Sequence, residues 1–193
     1  MKSRIKRCIL SSVDNYTRIL NDKNLQENME NIIMLGIKAF KADKKMLFCG
    51  NGGSASDAQH IAAELSGRFY TNRPPLYAEA LHVNSSYITA VANDFGYDET
   101  YARMLEACGR KGDILVGIST SGNSSNVLKA LKKANDLELT TIGFTGNKGG
   151  EMNNVCDIMI KIPSDDIPRI QEGHILVGHI ICQIIEEEMF PNA

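Results

Sequence analysis

A chain of 193 residues with 43% hydrophobic content and a formal net charge of −2 fits one domain of about 100–200 residues around a sizeable core. Nucleic-acid binding would call for a basic stripe, and none is visible past Lys2, Arg4, Lys6 and Arg7. The apolar run behind those four stops at Ser11, short of a signal-peptide core of about 7 residues, and no segment approaches the ~18 apolar residues of a membrane span.

In chain order, the first pattern is helical. Ile5, Ile9, Val13, Tyr16 and Leu20 make one apolar stripe, Met29, Ile33, Ile37 and Phe40 a second, with Asn21-Asp22-Lys23-Asn24 as the turn between them. These two amphipathic helices either pack on their own domain or pair with a second subunit. From Met46 onward, short apolar runs alternate with helical patterns. Strands are expected at 46–49, 77–81, 113–118, 140–144 and 157–162, and helices at 54–66, 85–92, 99–108, 124–135 and 168–189. Near-continuous apolar strands separated by helices imply a parallel sheet covered on both faces. The expected architecture is a single three-layer α/β/α domain over 1–193. It has a five-stranded parallel sheet in the core at 45–193 and a helical extension at 1–44. Cys8, Cys49, Cys108, Cys156 and Cys182 are odd in number and lack C-x-x-C spacing, which points to free thiols in a reducing cytoplasm.

The chemistry concentrates in three places. Met46 to Cys49 lead into Gly50-Asn51-Gly52-Gly53-Ser54-Ala55-Ser56 and then a helix. That is the layout of a strand, a tight turn with converging N–H groups, and a helix whose positive end faces the turn. His60 and Glu64 follow one helical turn apart on one face. A second polar loop, Ser119-Thr120-Ser121-Gly122-Asn123-Ser124-Ser125, follows the 113–118 strand. Alone it would pass for a serine-rich helix cap; paired with the first loop, in one sheet, it favours a neutral phosphate cradle. No G-x-x-x-x-G-K-[S/T] or G-x-G-x-x-G occurs, so ATP and NAD are poor candidates. In the last helix Gln171 and His179 are offset by about 80° at 3.6 residues per turn. With His60 and Glu64 they could supply two imidazoles, a carboxylate and an amide oxygen, donors that zinc accepts. His82 and His174 read as structural. Asn93-Asp94 closes the 85–92 helix as a turn, or reads sugar hydroxyls beside a sugar site. Glu186-Glu187-Glu188 is expected on a solvated face, and Arg68 and Arg73 either at the surface or near a phosphate.

The blocks GNGGSASDAQHIAAELSGRF (50–69), VANDFGYD (91–98), GDILVGISTSGNSSNVLKA (112–130) and RIQEGHILVGHIIC (169–182), in that order and with the two-helix extension before them, resemble the bacterial sedoheptulose 7-phosphate isomerases (phosphoheptose isomerases) of the sugar isomerase (SIS) superfamily. The resemblance implies substrate contacts at Asn51, Gly52, Gly53, Glu64, Asn93, Asp94, Ser119, Thr120, Ser121, Ser124 and Gln171. It implies one zinc per subunit on His60, Glu64, Gln171 and His179, and an acid/base pair of Glu64 with His179. Some relatives carry an acidic residue three positions before the glutamine, implicated in ring opening; here that position is Pro168. The implied reaction converts D-sedoheptulose 7-phosphate to D-glycero-D-manno-heptose 7-phosphate for lipopolysaccharide or capsule, in a cytoplasmic homotetramer with sites near subunit boundaries. The rival reading from the same family is a catalytically inactive, DnaA-binding tetrameric interaction protein, whose counterparts of Glu64 and His179 are non-catalytic.

Overall fold

The computed structural model describes residues 1–192. Helix α1 (Lys2–Asn21) is followed at once by α2 (Lys23–Lys41). The four-residue turn expected between them shrinks to Asp22, whose Oδ1 accepts from the Leu25 N–H at 3.0 Å and caps α2. Then come β1 (Met46–Gly50), α3 (Gly53–Ser66), β2 (Ala78–Ala80), α4 (Ser85–Phe95), α5 (Thr100–Cys108), β3 (Ile114–Ile118), α6 (Ser125–Asp136), β4 (Thr140–Gly146), β5 (Ile158–Ile162) and α7 (Ile167–Met189). All strand pairs are parallel, in the order β2-β1-β3-β4-β5, with Phe48 set between Ala80 and Val116.

Alternation along the buried strands sorts side chains into two cores. Met46, Phe48, Val116, Phe144 and Ile160 face α2, α3 and α7, while Leu47, Cys49 and Leu115 face α5 and α6. At roughly 1.5–3 kcal/mol for each fully buried large aliphatic side chain, these two layers supply the cohesion that the edge strand β2, only three residues long, cannot supply itself. The three-layer α/β/α architecture is the one expected.

The two N-terminal helices part company. In α2, Met29, Ile33 and Ile37 are buried in the main core against α7 and β5. The stripe on α1 stays uncovered, with exposures from 39% at Tyr16 to 71% at Leu20. Ile19 and Asn15 are the buried residues of α1. The Asn15 amide donates to the Arg169 carbonyl at 2.9 Å, and Arg169 donates to the Cys8 carbonyl at 2.8 Å. All five cysteines are free thiols. No described helix is long and apolar enough to cross a membrane.

Candidate active site

In this strand order the chain leaves β1 to one side and returns to the other, so the carboxyl ends of β1 and β3 flank the switch point where open α/β sheets bind ligands. Both polar loops lie there. Gly52 has φ +57° and ψ −121°, a conformation that L side chains rarely adopt. A Cβ there would meet nothing within 4 Å, so the turn opens onto unfilled space. The Asn51 side chain faces inward: its Oδ1 accepts from Asn126 Nδ2 at 2.9 Å, with the Tyr97 and Tyr101 hydroxyls each at 3.1 Å, and its Nδ2 donates to Asn126 Oδ1 at 2.8 Å. Asn51 thus offers a ligand mainly its backbone. Asn126, Tyr97 and Tyr101 were not singled out from sequence. The available clue was Asn126 itself, an amide side chain in the first turn of a helix that opens directly after the serine loop.

In the second loop Ser124 occupies the cap position of α6 but makes no side-chain capping bond. Its Oγ lies instead 2.9 Å from Ser119 Oγ, which is 3.4 Å from Ser121 Oγ. The hydroxyls turn toward one another and leave the Ser125 and Asn126 N–H groups to an anion, while the Val127 N–H is taken by Asn126 Oδ1 at 2.9 Å. Thr120 and Ser121 also border a cavity of about 310 Å³ shared with Asn147, Lys148 and Ser164.

Helix α3 carries the second half of the site. His60 Nε2 and Glu64 Oε1 are 3.0 Å apart, as the one-turn spacing requires. His179 on α7 brings its Nε2 to 3.4 Å from that of His60, with the rings edge to face at 4.9 Å between centroids. Such closeness needs a small residue at the crossing. A Cβ on Gly178 would stand 2.5 Å from Ile61 Cδ1, so glycine beside His179 lets α7 close on α3. Gln171, two turns earlier on α7, lays its amide over Gly53 at the start of α3. The two helices therefore run side by side in the same direction.

Ligand atoms of His60, Glu64 and His179 all lie within 4.8 Å of one another. Tetrahedral zinc with bonds of about 2.0–2.1 Å sets its nitrogen ligands about 3.3–3.4 Å apart, which matches the 3.4 Å between the two imidazole nitrogens. The donor set fits a zinc ion, with a carboxylate as third ligand. Asp57, one turn before His60, escaped notice in the sequence. One of its carboxyl oxygens is buried without a partner, and burial pushes its pKa up to about 6 against the opposing pull of His60.

The other candidates sort themselves. Asn93 and Asp94 lie inside α4, which runs on to Phe95, rather than closing it at residue 92. They are exposed and bonded to each other at 2.8 Å. His174 is fully buried, with Nε2 3.1 Å from the Thr145 carbonyl; burial lowers its pKa to about 4 against that bond's opposing effect, so it stays a neutral core residue. His82 is half-buried, with Nδ1 unpartnered. Arg68 is exposed. Two expectations fail. Glu186 is not on a solvated face but 2% exposed, and Arg73 is neither a surface nor a phosphate residue but 7% exposed and paired with Glu186 at 2.9 Å.

A parallel sheet with glycine and serine loops at its switch point defines the class of domain. The family model described as SIS domain matches residues 12–146, and the chain belongs to that family. The chain is 49% identical over 190 residues to the phosphoheptose isomerase of Clostridium acetobutylicum, covering 98% of this chain and 97% of the relative. Among solved structures, a phosphoheptose isomerase from Neisseria gonorrhoeae superposes with a TM-score of 0.90 at 38% identity, covering 96% of this chain and 98% of that one. Another, from Francisella tularensis, gives 0.92 at 37%, covering 96% and 97%. Within the SIS domain family, this chain stands among the phosphoheptose isomerases.

Proposed function

We propose that this protein is an aldose–ketose isomerase that converts D-sedoheptulose 7-phosphate to D-glycero-D-manno-heptose 7-phosphate, for the heptoses of lipopolysaccharide or capsule. The observation that carries the reading is the convergence of His60, Glu64 and His179, on the pair of helices that also lays Gln171 over Gly53, in a chain of this family. An interaction protein derived from the fold would have no use for that convergence, which is what weighs against the DnaA-binding alternative.

The substrate's phosphate and its reacting carbons sit at opposite ends of a seven-carbon chain, and the two halves of the site divide the work. The hydroxyls of Ser119, Thr120, Ser121 and Ser124 and the first turn of α6 hold the phosphate. The backbone of Asn51, Gly52 and Gly53, with Gln171, Asn93 and Asp94, orients the sugar. Isomerisation removes a proton from C1 and returns one to C2, while O2 gains a proton and O1 loses one. Glu64 and His179 supply the two proton-transferring groups this needs, and with His60 their ligand atoms lie within 4.8 Å of one another. His60, Glu64 and His179, with Gln171, would hold zinc, which when bound acts as a Lewis acid toward the enediolate oxygens. Incubating the purified protein with sedoheptulose 7-phosphate and following the sugars by NMR tests the assignment. Formation of the aldoheptose supports it; faster turnover of a pentose or hexose phosphate would move the substrate elsewhere.

The donor set leads us to expect about one zinc per chain by elemental analysis, with activity lost in strong chelator and restored by zinc. Metal-free protein that keeps full activity in chelator would remove zinc from the mechanism. Replacing Ser119, Ser121 and Ser124 together by Ala should raise KM about tenfold or more with a smaller change in kcat, because phosphate contacts are made in ground and transition states alike. A triple variant with unchanged KM would show the phosphate lies elsewhere.

The same reading makes the protein a cytoplasmic homotetramer. What supports it is α1, whose stripe Ile5, Ile9, Val13, Tyr16 and Leu20 is apolar and uncovered over about four turns, an area that assembly would remove from water. Light scattering should give four chains per particle, and Val13→Glu should shift the mass downward. Intact protein that is monomeric and fully active would show that each site is complete in one chain.

A further inference from the structure

Arg73 is built into the protein as no surface arginine is. Its side chain is fully buried, and each donor group is spent. Nε donates to Glu186 Oε2 at 2.9 Å, Nη2 to the Glu64 carbonyl at 2.9 Å, and Nη1 to the carbonyls of Leu65 at 2.7 Å, Gly67 at 3.2 Å and Pro74 at 3.1 Å. Three of these acceptors are the orphan carbonyls that close α3. Glu186 is equally committed: Oε1 accepts from the Tyr70 and Thr71 N–H groups at 2.7 and 2.9 Å, and Oε2 from Phe69 N–H at 2.9 Å as well as from Arg73. The carboxylate is thus wrapped by the 69–71 loop while its own backbone belongs to α7.

The three segments tied together are the ones that carry the site. Glu64 lies in the turn of α3 that Arg73 caps. His179 lies on α7 seven residues, about two turns, before Glu186. Phe69, held by the Glu186 carboxylate, sets its ring 5.8 Å from the His179 ring. We propose that Arg73 and Glu186 are positioning residues for the reaction: they fix the end of α3 relative to α7, and thereby set Glu64 against His179 and seat Phe69 as the wall behind the imidazole.

A buried ion pair as such is weak evidence for stability, since well-packed apolar residues often serve as well. Here the pair bridges two helices and a loop through eight hydrogen bonds. A misplacement of about 1 Å in such a constellation can cost about 10²-fold in rate. The inference rests on Glu64 and His179 being the reacting pair, so its test needs one readout that does not depend on chemistry.

Glu186→Gln keeps the shape of the side chain but leaves the Arg73 charge unpaired. In folded Glu186→Gln protein, kcat should fall about 10–100-fold with KM within about twofold. In the metal-free protein the ring resonances of His179 should move as Phe69 loses its anchor, as followed by NMR. Glu186→Asp, which keeps the charge, should recover part of both. Folded Glu186→Gln protein with native His179 resonances and kcat within about twofold of the parent, whatever its melting temperature, overturns the proposal and leaves the pair a structural one. Moved resonances with unchanged kcat would instead uphold the positioning and count against Glu64 and His179 as the reacting pair. Should Glu186→Gln fail to fold, Arg73→Lys, which keeps a buried cation opposite Glu186 but cannot span the α3 carbonyls, is read by the same two measurements and decides in the same way.

Discussion

Replacing Glu64 by Gln should lower turnover by about 10²–10⁴-fold, the usual contribution of a general acid–base group, while KM for the sugar phosphate changes little. The substitution preserves size and keeps an amide oxygen available where the native carboxylate lies 3.0 Å from His60 Nε2. What it removes is the capacity to take a proton. Because Glu64 also belongs to the candidate metal group, the assay belongs at saturating zinc with metal content measured alongside. Loss of turnover at full occupancy then reports the proton transfer and not an empty site. A metal-loaded Glu64→Gln protein with near-native kcat would shift the proton transfers to His179 with another partner, for which half-buried Asp57, one turn before His60, is the nearest carboxyl on the same helix.

Truncating Glu186 to Ala should cost about 3–5 kcal/mol of stability at neutral pH, the range for removing one member of a buried pair. It strands the Arg73 guanidinium and deprives three loop N–H groups of their acceptor. The pH dependence follows from the carboxyl's position. Burial alone would push its pKa up, but the Phe69, Thr71 and Tyr70 N–H groups and the Arg73 guanidinium outweigh burial and hold it at about 2, below the ordinary 4.5. A depressed folded-state pKa gives stabilisation that is complete above the unfolded value and lost as pH falls through the folded one. The gap between parent and Glu186→Ala should therefore be full at pH 7, begin to close below about 4.5 and be largely gone near 2. Denaturant unfolding at fixed protein concentration, at pH 7 and pH 3, measures it. A gap below about 1 kcal/mol at pH 7, or one that does not change with pH, would mean the carboxylate is not held as the geometry indicates.

The site was legible where its chemistry is local. His60 and Glu64 show themselves at one-turn spacing on a helix behind a glycine turn, and 3.0 Å is what that spacing delivers. The serine loop announced itself by position, directly after a strand buried along its whole length. Helical phase pairs His179 with Gln171, donor chemistry and the family resemblance join them to His60 and Glu64, and none of these says how near two helices come. The 3.4 Å contact depends on Gly178 meeting Ile61. Asn51 shows the converse: a polar side chain in a ligand-binding loop that is consumed by Asn126, Tyr97 and Tyr101.

Periodicity and strand-length apolar runs by themselves determined that this chain makes a three-layer parallel α/β domain, because burial on both faces of a sheet leaves its mark residue by residue along each strand. They could not tell α1 from α2, whose stripes look alike although one lies in the core and the other in the open. Nor could they tell Glu186 from the exposed acid beside it. An apolar stripe specifies that a face must be covered, and not by what; a carboxylate specifies that it needs donors, and not from where. Those answers are contacts between residues far apart in the chain, 113 positions in the case of Arg73 and Glu186, and only tertiary packing decides them.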